Sequence, residues 1–125
     1  MIVLALLAAI QSQAIHLQCD GVVTADRQLA GRAYVEISGE AVRIRAPSEL
    51  FATVTGRRQD FWREMTDVTR TDRDISGRHS PNAVSRMTVA IDRMTGSIQI
   101  NVSDVLAGGT SFVGDCQVAP SAPLF

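Results

Sequence analysis

The segment Gly56-Arg57-Arg58-Gln59-Asp60-Phe61-Trp62-Arg63 sets three of the chain's twelve basic residues beside its only tryptophan. Arginine and tryptophan are the residue types most enriched at binding hot spots, because one offers a fork of donors and the other a large rigid apolar surface. Arg57, Arg58 and Trp62 are therefore the candidate binding residues. The competing reading is a polar turn that leads into a strand, with Trp62 buried as the largest apolar side chain.

No catalytic residue is assigned. The two histidines, His16 and His79, are far apart, and no Gly-x-Ser-x-Gly elbow accompanies them to build a nucleophile and base. Asp67, Asp72 and Asp74 cluster, yet they lack the alternating ligands and central glycine of a calcium loop, and aspartate is a favoured turn residue in its own right. Thirteen acids leave a glycosidase-type carboxylate pair open, but no spacing singles out two of them. Asn101-Val102-Ser103 matches an N-glycosylation sequon inside an expected strand. No metal site and no cofactor motif is read from the sequence.

Cys19 and Cys116 are expected to form one disulfide. Two isolated thiols with no partner Cys or His at short spacing do not make a zinc site. Lipidation of Cys19 is not expected either, since His16-Leu17-Gln18 replaces the small residues that a lipoprotein cleavage site needs. A bond between residues so far apart closes nearly the whole domain into a loop and contributes about 4 to 5 kcal/mol in the chain-entropy account.

A disulfide implies an oxidising compartment, and the start of the chain offers a route to one. Ile2 to Ile10 is an unbroken apolar run of signal-peptide length, too short to anchor in a bilayer, and Ser12-Gln13-Ala14 supplies small residues for cleavage. The expected organisation is a signal peptide over 1–14, a β-domain over 15–118 and a Pro-containing tail over 119–125. The expected location is periplasmic or secreted, with no transmembrane span in the mature chain.

At 125 residues the chain has the size of one domain, and 46% hydrophobic content at a net charge of −1 describes a folded protein. The near balance of charge argues against nucleic acid, which demands a basic excess. All twelve basic residues are arginines, a bias that coding composition explains unless they cluster in space.

The elements that must carry these residues are strands, because apolar and polar residues alternate and no sustained helical period appears. The clearest hairpin runs from Arg32 to Ala46 around Gly39-Glu40, pairing Val35 with Ile44 and Ile37 with Val42 on one face, and Glu36 with Arg43 and Tyr34 with Arg45 on the other. A second places Arg93 to Gly96 in its loop and pairs Ile91 with Ile98, Val89 with Ile100 and Met87 with Val102. Further strands are expected near Ile15 to Thr24, Leu50 to Thr55, Phe61 to Arg70, Asp74 to His79 and Thr110 to Gln117. The result is an all-β, single-domain antiparallel meander of about eight or nine short strands, closed as a small barrel or folded as a sandwich. An outer-membrane barrel fits poorly, since one Trp and one Tyr cannot make aromatic girdles.

This layout of antiparallel strands within one end-to-end disulfide resembles that of small periplasmic barrels such as the bacterial inhibitors of C-type lysozyme. The inhibitory-loop motif of that group is absent here, so the resemblance is one of layout. The sequence therefore points to an exported, non-enzymatic β-domain that binds a protein or a cell-envelope component. Its alternatives are a small hydrolase using acidic residues and a self-assembling structural subunit of the envelope.

Overall fold

The computed structural model describes residues 14–24, 28–47, 50, 62–80, 85–104 and 108–119. The described residues form nine strands: β1 (Ile15–Thr24), β2 (Gln28–Ser38), β3 (Ala41–Arg45), β4 (Arg63–Glu64), β5 (Thr66–Arg70), β6 (Asp74–His79), β7 (Ser85–Asp92), β8 (Ser97–Asp104) and β9 (Gly108–Val118). All belong to one antiparallel sheet in the order β4-β3-β2-β1-β9-β8-β7-β6-β5. The two ends of that order, β4 and β5, are separated in the chain by Met65 alone, and the Met65 amide continues the β3 ladder by donating to Val42 O at 2.8 Å. The sheet therefore curls until its ends meet at one residue. The outcome is a nearly closed barrel, and of the two expected architectures the sandwich is set aside.

Both hairpins hold the register that alternation predicts. Val35 faces Ile44 and Glu36 faces Arg43 across β2 and β3, while Ile91 faces Ile98 and Met87 faces Val102 across β7 and β8. The first turn works because Gly39 takes φ 60°, a region that side chains disfavour. In the second, Asp92 Oδ1 accepts from the Met94 and Thr95 amides at 2.8 and 3.1 Å.

Two elements differ from expectation, and a third lies almost wholly outside the described residues. β2 begins at Gln28, ahead of the hairpin read from Arg32. The strand expected over Phe61 to Arg70 is divided, and in its second half a bulge lies between Thr66 and Thr69 with Asp67 at φ 50°. An extra residue in one strand bends it and increases its twist, which here helps turn the sheet back upon itself. Of the strand expected over Leu50 to Thr55, only Leu50 is described; its backbone is helical and its amide closes a turn on Pro47 O at 3.0 Å.

Alternation fills the interior with one apolar face from every long strand. Val23, Val35, Ile44, Met87, Val89, Ile98, Ile100, Val102 and Phe112 are all buried. Cys19 and Cys116 are direct cross-strand partners on β1 and β9 and are bonded, as expected. Two residues further along, register places Gly31, Gly21 and Gly114 side by side on β2, β1 and β9. A Cβ on Gly21 would run into the Val113 carbonyl, and one on Gly114 would meet the Asp20 carbonyl and the tip of the Phe112 ring. Absent side chains let these strands approach closely and leave room for Phe112, which is fully buried.

Candidate functional site

At one end of the barrel β1 begins and β9 finishes. Three turns frame the same end: Gly39-Glu40 between β2 and β3, Thr71 to Arg73 between β5 and β6, and Arg93 to Gly96 between β7 and β8. Within this frame lies a cavity of about 360 Å³. Its walls are Ile15 and Leu17 of β1, Ile37 of β2, Ile75 of β6, Ile91 of β7 and the half-buried Cys116 of the disulfide. These are inward residues of the strands: Ile37, Ile75 and Ile91 belong to the buried core, and Leu17 and Ile15 carry the apolar surface outward from it. The cavity thus has a buried apolar floor and a partly exposed apolar side, as a small-molecule site requires.

The rim of this mouth is also apolar. Ile15 is 42% exposed, Val118 71% and Met94, at the tip of the β7–β8 turn, 75%. Among them stand charged groups from separate elements: Arg70 ends β5, Asp92 ends β7 and Arg93 opens the following turn, and all three line the cavity. Each is fixed by the backbone. Arg70 Nη1 donates to Gly39 O at 2.8 Å and so ties β5 to the β2–β3 turn. Arg93 Nη1 donates to Thr71 O at 2.6 Å and ties two turns together. The turn amides of Thr95 and Met94 hold the Asp92 carboxyl below its ordinary pKa, with Arg73 adding to the effect.

Of the residues expected to bind, only Trp62 is described, and it is not among those that line this cavity. Arg57 and Arg58 fall outside the described residues. Trp62 is half-buried and precedes β4, whose Arg63 faces Ile44 and whose Glu64 faces Arg43. The Arg43 guanidinium lies 5.2 Å from the Trp62 ring centroid, and its Nη2 donates to Glu36 Oε2 at 2.8 Å. Register extends this contact into an outward-facing row of His16, Glu36, Arg43 and Glu64 across β1 to β4, with His16 Nδ1 at 3.9 Å from Glu36. Arg63 points the other way and is buried, and the loss of solvent lowers its pKa.

The aspartates behave as turn and ladder residues. Asp74 Oδ1 accepts from Thr71 Oγ1 at 3.1 Å, and Asp67 Oδ2 accepts from Arg78 Nε at 2.7 Å. Asn101, the sequon residue, accepts from Ser111 Oγ at 2.6 Å on the outer face. Among the described residues no group of three or more His, Cys, Asp or Glu side chains is placed to hold a metal ion.

Sequence reasoning missed the cavity because its walls come from five strands spread along the chain. Each isoleucine reads as ordinary core until the closure of the barrel shows which ones border one cavity. No protein-family model matches the chain, and no curated protein or solved structure matches it.

Proposed function

We propose that the chain is an exported, non-enzymatic β-barrel that binds an apolar component of the cell envelope at its open end. The observation that carries this reading is the cavity of about 360 Å³, walled by Ile15, Leu17, Ile37, Ile75 and Ile91 and rimmed by further exposed apolar side chains. Its size lies at the lower end of the range for small-molecule sites, about 300 to 1,000 Å³. The disulfide supports folding in an oxidising compartment outside the cytoplasm, and the apolar run before Ala14 supports export to the periplasm or beyond.

The carboxylates favour binding over hydrolysis, because several are already engaged: Asp20 by Arg32, Glu36 by Arg43, Asp67 by Arg78 and Asp92 by turn amides. Assembly through strand edges is disfavoured because β4 has two residues and β5 carries a bulge, and both features discourage edge pairing.

Titration with N-phenyl-1-naphthylamine, a neutral apolar fluorophore, tests the reading. The protein should bind it saturably at one site, and Ile15→Asp should weaken binding at least tenfold with an unchanged melting temperature, since Ile15 is partly exposed. Arg86→Ala, on the exposed face of β7, should leave binding unaltered. Absence of saturable binding by the folded protein would remove the proposal.

A second reading rests on a different surface. Stacking of Arg43 over Trp62, next to the chain segment that carries Arg57 and Arg58, supports a protein-binding patch on the outer wall around β3 and β4. Loss of a partner by the Arg57→Ala, Arg58→Ala double variant, with the cavity still binding the fluorophore, would favour this patch.

A further inference from the structure

Resting on the cavity reading, we infer that the ligand is a single-chain anionic amphiphile, its alkyl chain among the isoleucines and its headgroup between Arg70 and Arg93. Two guanidiniums from separate elements line one small apolar cavity. Arginine at an otherwise apolar mouth is suited to carboxylate or phosphate, since its planar fork offers five donors in fixed geometry. One donor of Arg70 is committed to Gly39 O and one of Arg93 to Thr71 O. Those bonds hold both side chains in place before a ligand arrives, which lowers the entropy lost on binding.

The opposing charge is Asp92. Its Oδ1 is occupied by the Met94 and Thr95 amides, which point their donors at the carboxylate and offset its field. With Asp92 ionised, the three side chains at the mouth sum to one net positive charge, two cations less one anion. Apolar groups beyond the rim strengthen the pull on a headgroup by displacing water around it. At interior packing density the cavity has room for an alkyl chain of roughly ten carbons.

Isothermal titration with matched ten-carbon probes tests the inference: decanoate, decyl phosphate, decan-1-ol and decyltrimethylammonium, all below their micellar concentrations. At least one anionic probe should bind tenfold or more tightly than decan-1-ol, and the cationic probe should bind more weakly than decan-1-ol. The Arg70→Gln, Arg93→Gln double variant should lose the anionic preference while retaining decan-1-ol affinity and the melting temperature. If the double variant proves less stable, Arg93→Lys keeps the test open, because it retains charge and loses the fork, and should fall between wild type and the double variant. Equal affinity for decan-1-ol and both anions, or an undiminished anionic preference in the folded double variant, would overturn the inference and leave the cavity reading standing. Failure of every probe to bind the folded protein would overturn both.

Discussion

The guanidinium of Arg43 lies 5.2 Å over the ring of Trp62 and at the same time donates to Glu36 at 2.8 Å. The only tryptophan of the chain is thus half-buried against the outer wall by a neighbouring strand's cation, while among the described residues the largest fully buried side chain is Phe112. Partly exposed cation–π contacts contribute about 0.5 to 1 kcal/mol, and exposed ion pairs a similar amount or less.

A double-mutant cycle on Arg43→Ala and Trp62→Ala should therefore return a coupling of about 0.5 to 1 kcal/mol by urea denaturation. Arg43→Ala alone should cost about 1 kcal/mol. Ile44→Asp, one residue along and fully buried, should cost several times as much, because it places an unpaired charge in the barrel interior. Comparable losses from Arg43→Ala and Ile44→Asp would contradict the alternation of faces.

The disulfide joins β1 to β9 where the first and last strands pair, with a sequence separation of 97. Replacing Cys19 and Cys116 by Ala should lower stability by about 4 to 5 kcal/mol, less whatever order the unfolded chain retains. Non-reducing peptide mapping should recover the two cysteines in one linked fragment. Because Cys116 also lines the cavity, the reduced protein should lose fluorophore binding before its far-ultraviolet spectrum changes. Retained binding in fully reduced, folded protein would separate the cavity from the bond.

Gly21 is a position where the fold tolerates no side chain. Gly21→Ala drives a methyl group into the Val113 backbone, which cannot move without breaking the β1–β9 ladder, and should cost more than about 2 kcal/mol. Gly109→Ala is the control: its Cβ would make ordinary contact with Val102 O, so the change should stay within about 1 kcal/mol. Thermal melts of the two variants that coincide would remove the argument from close approach.

The same glycines mark the boundary of what could be read from the sequence. Hairpin registers around Gly39 and Gly96 were legible because each strand carries one wholly apolar face, and a slip of one residue would expose it. The start of β2 was not, since Gln28, Leu29, Ala30 and Gly31 do not alternate cleanly. One signal was available and points to the glycine row: antiparallel pairing at Cys19 and Cys116 sets Gly21 opposite Gly114, two residues along each strand. The cavity was hidden for a different reason. Ile15, Ile37, Ile75 and Ile91 have core chemistry, and only closure of the sheet through Met65 brings them round one cavity. Arg70 and Arg93, at a strand end and in a turn, read as ordinary surface until two backbone carbonyls are seen to hold them at one mouth.

Two aspartates link stability to acid. Asp92 is held below the ordinary aspartate pKa by the Thr95 and Met94 amides, and Asp20 by its hydrogen bond from Arg32. In each case the folded chain binds its proton less readily than the unfolded chain, so the stabilisation is complete above the unfolded pKa and disappears as pH falls through the lower folded value. Chemical denaturation should therefore show stability falling with acidification below the ordinary aspartate range. Asp92→Asn should flatten part of that slope while lowering stability at neutral pH. A slope unchanged in both Asp92→Asn and Asp20→Asn would assign acid sensitivity to other groups.

The last expectation concerns the start of the mature chain. Cleavage after Ala14 leaves Ile15 first, and Ile15 already sits in the β1–β2 ladder opposite Ile37 and in the cavity wall, whereas Ala14 is exposed and precedes the strand. A cut at that bond leaves every described ladder partner of β1 in place. It also creates an ammonium group on a residue that lines the same cavity as Arg70 and Arg93, adding a cation where an anionic headgroup is proposed to bind. Intact-mass analysis of the exported protein should give a chain beginning at Ile15. Acetylating that amino terminus should weaken decanoate more than decan-1-ol, and raising the salt should narrow the difference, since the charge is exposed and open to screening. An exported chain that still begins at Met1, or one cut within β1, would rule out this processing, and equal effects of acetylation on the two probes would show that the new charge does not reach the headgroup.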